Sequence, residues 1–344
     1  MAQPISPRKP SSRTSKALGL TLVEVLIAAA VSSLILAVSY SLTLSNKSLL
    51  DTNQARTETN QNIRGILDII TDDVRISGER MAGSPPVLMP IEISTNGDLI
   101  LRRNLNDSVM SVCFGNVPIG STTIDVSEKV SEEGKAVNCA HTTVFPAQQA
   151  WQRYRIANGD SVPVYIHQPN LDNPFGASGH GEFLTYTAEN LPLNATNTNG
   201  DVPDNNDREI TFLTPTQKAY GSGRINNTGD WRHHLPNFAG TLPSIYILEE
   251  HRYSLNANGT LELFVNGNTE NPRAIAENVT NFTVQAITQQ DDGTEQILTQ
   301  FNVPNQWTNL KAIEITVAKE SRNGGRTAER QVSARVYPRN HQSQ

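Results

Sequence analysis

The sequence predicts an α+β protein in which one long N-terminal helix packs on a large antiparallel β-sheet body. Three observations predict it: a nearly unbroken apolar run from Leu20 to Leu44, no proline between Leu20 and Pro85, and an apolar period that changes from 3.6 to 2 after Pro85-Pro86. The chain has 344 residues, ample for a sizeable core, and its 37% apolar content excludes a polytopic membrane protein. A formal net charge of −6 in a mixed composition excludes wholesale disorder. The two cysteines are too few for a disulfide-dense scaffold and lack zinc-knuckle spacing.

The first 19 residues carry Arg8, Lys9, Arg13 and Lys16, no acid, and the helix-breaking Pro4, Pro7 and Pro10. By the positive-inside rule this tail stays in the cytosol. After Gly19 the apolar run begins, interrupted only by Ser, Thr and one acid. At about 1.5 Å per residue it spans the roughly 30 Å of a bilayer core, so one transmembrane helix is expected with its carboxyl side outside. The run is too long for an ordinary secretory signal and has no Ala-x-Ala junction. The acid is Glu24. An ionised group well inside a bilayer costs about 2.5–3.5 kcal/mol, so Glu24 either reaches back to the cytoplasmic headgroups or has a functional partner.

Gly19-Leu20-Thr21-Leu22-Val23-Glu24 resembles the class III signal of type IV prepilins and type II secretion pseudopilins. The resemblance implies cleavage after Gly19 by a prepilin peptidase, N-methylation of Leu20, and a role for Glu24 in guiding assembly. Leu20 departs from the phenylalanine most common there. The physics agrees: cleavage leaves an ammonium on Leu20 near the membrane core, and Glu24 of a staggered neighbouring helix neutralises it. Each charge left unpaired in low dielectric would be expensive, so Glu24 would select the axial register.

The helix is expected to run from Leu20 to Ser77 and stop at Gly78. Beyond the membrane Ile63, Ile66, Leu67, Ile70 and Val74 recur at helical spacing, opposed by Arg64, Asp68, Asp72 and Asp73. The apolar stripe is read as core, packed on a sheet. The segment from Asp72 to Gly83 resembles the end of the long helix in the larger minor pilins of the PilW type.

In the body, short strands are expected at Val87–Ile93, Asp98–Arg102, Val109–Phe114, Arg153–Ala157, Val162–His167, Glu182–Thr187 and Glu209–Leu213, each bounded by turn residues. Two hairpins are expected. One joins Ile245–Leu255 to Thr260–Val265 through Asn256-Ala257-Asn258-Gly259, and the other joins Ala312–Lys319 to Arg326–Tyr337. The order of these pieces, with Ala276–Phe282 and the closing Val-rich strand, also resembles the PilW-type minor pilins and the J-type pseudopilin. The expected division is a leader at 1–19, a transmembrane helix at 20–46, an extramembrane helix at 47–84 and an extracytoplasmic pilin-like body at 85–344, with a mobile Asn/Asp-rich loop near 189–209.

Other chemistry is thin. Cys113 and Cys139 lie in an oxidising compartment on this reading. A bridge between them would remove roughly 3–4 kcal/mol of unfolded-chain entropy, the alternative being two buried thiols. Asp201, Asp204 and Asp207 offer oxygen ligands for calcium without EF-hand spacing, and otherwise read as a solvated loop. His233-His234 is adjacent and a poor metal pair. Phe175–Gly181 holds Ser178 and His180 but no nucleophile elbow. No catalytic or cofactor motif is found, so no cofactor and no enzymatic activity are expected.

Losing the leader would leave 24 basic residues against 34 acids, a charge of −10 that opposes indiscriminate DNA binding. The stretch Lys311–Arg339 is locally basic and keeps DNA, or an acidic partner subunit, open. The resemblance implies a single-pass inner-membrane protein with its body in the periplasm, later in the pilus, and a non-catalytic role in starting assembly or at the tip. Partners would be major and minor pilins, the prepilin peptidase and the inner-membrane assembly platform. A type II secretion pseudopilin, a tip adhesin or DNA-uptake module, a tethered enzyme and an unprocessed anchored protein are the competing readings.

Overall fold

The structure, a computed structural model, describes residues 21–81, 88–112, 117–128, 146–168, 179–189, 209–220, 243–323 and 326–339. The described residues are α+β: one long helix, antiparallel strands, a short second helix and a 3-10 turn at Pro304–Asn309.

Helix α1 covers Leu22–Ile76, 55 residues and about 82 Å. It starts on a capping box: Thr21 Oγ1 accepts from Glu24 N at 3.3 Å, and Thr21 N donates to Glu24 Oε2 at 2.9 Å. It stops where expected. Ser77 turns extended while its amide still reaches Asp73 O at 3.0 Å, and Gly78 takes φ +80° and donates to Arg102 O at 2.9 Å. The stripe Ile63, Ile66, Leu67, Ile70 and Val74 is buried, as the core reading requires, while Arg64, Asp68 and Asp72 face solvent. Asp73 departs from that pattern. It is half-buried, because His251 and Tyr253 of a strand packed beside the helix end both bond its carboxylate.

Strands β1 (Ile91–Ile93), β2 (Leu99–Asn104), β9 (Leu248–Leu255), β10 (Leu261–Val265) and β11 (Arg273–Ala276) form one sheet in the order β1-β2-β9-β10-β11. Strands β12 (Val279–Gln289), β13 (Glu295–Leu298), β14 (Leu310–Asn323) and β15 (Arg326–Val336) form a second in the order β13-β12-β14-β15. The sheets are stitched at two places: Ile93 and Phe301 exchange backbone bonds of 2.8 and 3.0 Å, and Val279 N donates to Gly259 O at 2.8 Å. One core lies between them and α1, with Leu99, Leu101, Tyr253, Leu261 and Leu263 from the first sheet and Val284, Ile313, Ile315 and Val317 from the second.

The body is therefore not one large sheet. Between β2 and β9 the chain builds a closed barrel from β3 (Met110–Val112), β4 (Thr123–Glu128), β5 (Val162–Gln168), β6 (His180–Glu189), β7 (Glu209–Phe212) and β8 (Ser244–Tyr246), in the order β3-β4-β7-β6-β5-β8. The barrel has its own core, including Trp151, Tyr186, Ile166 and Ile210. Two expectations are corrected here. Arg153–Ala157 is the end of helix α2 (Pro146–Ala157), not a strand: Ala147, Gln148 and Trp151 are buried at helical spacing, Pro146 stands at the first helical position, and Trp151 Nε1 donates to Ser108 O at 2.8 Å. Ile245–Leu255 is two strands split at Ile247, the first in the barrel and the second in the sheet. Both expected hairpins form, and Gly259 supplies φ +76° in the first.

Candidate functional site

Three places carry unusual chemistry. The first is the start of α1. Its apolar N-terminal half is exposed throughout, with Leu22 at 77% and Leu36 at 69%, and an 18-residue window reaches a mean hydropathy of 2.3. The helix is long and apolar enough to cross a membrane. Glu24 lies in its first turn, where its Oε2 accepts from both the amide and the hydroxyl of Thr21 at 2.9 Å. Its carboxylate is thus held at the helix N-terminus, where negative charge is favoured. Gly19 and Leu20 lie outside the described residues.

The second is a joint between the end of α1 and β9. Asp73 Oδ2 accepts from Tyr253 Oη and bonds His251 Nδ1, both at 2.6 Å. Beside it Arg103 pairs with Glu249. Burial pushes the Asp73 carboxyl up, but the bonds from His251 and Tyr253, with the charges of His251 and Arg103, outweigh it and hold it below the usual range. The same bond raises the His251 imidazole against the opposing effect of burial, and burial together with Asp73 raises the Tyr253 phenol.

The third is the seam where the barrel meets the first sheet. Arg102 on β2 is buried, and its guanidinium donates to Glu250 Oε2 at 2.7 Å, Glu92 Oε2 at 2.8 Å and Met89 O at 3.1 Å. Burial opposes its charge, while Glu250 and Glu92 more than restore it. From the barrel side Tyr165 approaches, its ring stacked on His167 at 6.2 Å and tilted on Phe183 at 4.8 Å. Burial pushes the Tyr165 phenol up to about 12. Between the two units lies a cavity of about 270 Å³, lined among others by Glu92, Arg102, Tyr165, His167, Lys218 and Asn302.

The sequence does not reveal the joint or the seam, although each leaves a trace. Asp73 is an acid in the last turn of a helix, where the dipole disfavours it without a partner. Arg102-Arg103 are consecutive in a strand, which forces one of them towards each face.

The remaining expectations divide. Cys113, Cys139, Asp201, Asp204, Asp207 and His233-His234 lie outside the described residues, as do residues 190–208 of the expected loop. Of the Phe175–Gly181 segment, His180 opens β6 and stacks on Tyr220 at 5.3 Å. Among the described residues no group of three or more His, Cys, Asp or Glu is placed to hold a metal. In the basic stretch Lys311 and Arg335 share Glu295 at 2.8 and 3.3 Å, and Lys319 donates to Glu277 O at 2.6 Å. No protein-family model, curated protein or solved structure matches the chain.

Proposed function

We propose that the chain is a minor pilin of the PilW type: a non-catalytic subunit cut after Gly19, methylated on Leu20, held in the inner membrane by α1 with its body in the periplasm, and recruited into a pilus at its start or tip. The observation that carries this reading is the division of a single helix. Its C-terminal half is the spine of the body's core, whereas its N-terminal half presents apolar side chains that nothing among the described residues covers. An apolar surface of that length needs a bilayer or the parallel helices of other subunits.

In the subunit alone, Glu24 is occupied by Thr21. In the assembly the ammonium of a neighbour's Leu20 would compete for that carboxylate. Mass spectrometry of the membrane and pilus forms tests the processing: a methylated Leu20 terminus is expected, and retention of Met1 overturns the proposal. For the register role, Glu24→Ala is expected to insert normally and to enter pili poorly, and wild-type incorporation would remove that role. A type II secretion pseudopilin shares the N-terminal features, so deletion of the gene with scoring of piliation and secretion separates the two.

A further inference from the structure

We propose that the cavity between the barrel and the first sheet binds a neutral, hydroxyl-rich ligand, a hexose or N-acetylhexosamine unit. The site is independent of the assembly role, since it lies in the body and uses no residue of the membrane segment. Arg102 is held by three acceptors through Nε and Nη1, so its orientation is fixed before any ligand arrives. Its Nη2 has no protein acceptor among the described residues, although the residue is 7% exposed and lines the cavity. Glu92 gives Oε2 to Arg102 and leaves Oε1 as an acceptor on the same wall. Lys218 spends one proton on Gly181 O at 2.5 Å and keeps two, and Asn302 adds an amide. Fixed donors and an acceptor around one space match hydroxyl groups, each of which both gives and takes a bond.

Charge decides against an anion. Arg102 and Lys218 are matched by Glu92 and by Glu250, which bonds Arg102 from behind the wall, so the four groups sum to zero. A carboxylate or phosphate would gain little attraction there and would repel Glu92. Leu88, Met89, Pro304 and Tyr165 supply the apolar part of the lining, against which the C–H groups of a sugar ring can rest, and the volume of about 270 Å³ suits one ring rather than a long chain.

The test uses the full chain in a zwitterionic detergent that carries no sugar, probed by saturation-transfer NMR and calorimetry. The probes are free glucose, galactose and N-acetylglucosamine, the neutral disaccharide chitobiose, and glucuronic acid. At least one neutral sugar is expected to bind, more weakly by about fivefold in Lys218→Ala and in Asn302→Ala, the loss of one hydrogen bond of about 1 kcal/mol. Lys311→Ala, remote from the cavity, should bind as wild type, and thermal unfolding of the variants verifies their fold. Tighter binding of chitobiose points to a glycan chain end as the source, and equal binding of the monosaccharides points to free sugars. The proposal is overturned if no neutral sugar binds, if glucuronic acid alone binds, or if Lys218→Ala and Asn302→Ala both bind as wild type.

Discussion

Asp73 takes two bonds from β9 and so ties the last turn of α1 to the sheet. Removing one of them by Tyr253→Phe is expected to cost about 1–3 kcal/mol in denaturant unfolding, the range for a buried bond to a charged acceptor. The pair also sets a pH window. The His251 imidazole is raised by Asp73, so its contribution is complete below its ordinary value of 6.5 and is lost as pH rises through the higher folded value. The Asp73 carboxyl is lowered, so its contribution is present above its ordinary value of 3.8 and is lost as pH falls through the folded value. The stability difference between wild type and His251→Ala should therefore shrink as pH is raised from 6 into the alkaline range. A difference that grows over that range would show that the joint is not charge-assisted.

Among the elements, α2 and the β9–β10 turn do work that exceeds their length. Trp151 is fully buried in the barrel core and packs edge-on to Tyr186 at 5.6 Å. Trp151→Ala is expected to cost about 3–5 kcal/mol and to melt the barrel first, read as early loss of amide protection in β3 to β8 while α1 keeps its own. Gly259 holds φ +76°, and a Cβ there would stand 3.0 Å from Val279 O, at the stitch between the sheets. Gly259→Ala is expected to destabilise by about 1 kcal/mol or more, because the alanine meets both the left-handed backbone and a carbonyl that must shift. An Asn-Gly turn marks the hairpin in the sequence, whereas the packing of that turn on β12 is not written in any local pattern. Helix α2 shows the converse failure. Its last five residues, Arg153–Ala157, mimic a short strand, and the helical spacing is clear only once Ala147, Gln148 and Trp151 are counted with them.

Seen whole, the molecule is a helix-and-sheet body with a barrel inserted between two strands that are hydrogen-bonded neighbours. Asn104 at the end of β2 faces Leu248 at the start of β9. Replacing the barrel with a tight turn from Leu105 to Ile247 should leave a body that still unfolds cooperatively, since its core is separate. Loss of cooperative unfolding in that variant would show that the seam, not the core, holds the body together. The seam is well placed to fix how the barrel sits: Arg102 and Glu250 are buried there near Tyr165, with Glu92 half-buried beside them, and truncating one partner of such a group strands a charge. By itself the sequence determines the long helix, its apolar and amphipathic halves, its stop at Gly78, most strands and both hairpins, because each is written in periods and turns spanning a few residues. Only the tertiary structure decides that β2 pairs with β9, that six strands close into a barrel, and that Arg102 meets a carboxylate 148 positions away. Alternation tells which face of a strand is buried, but carries no information about which strand lies beside it.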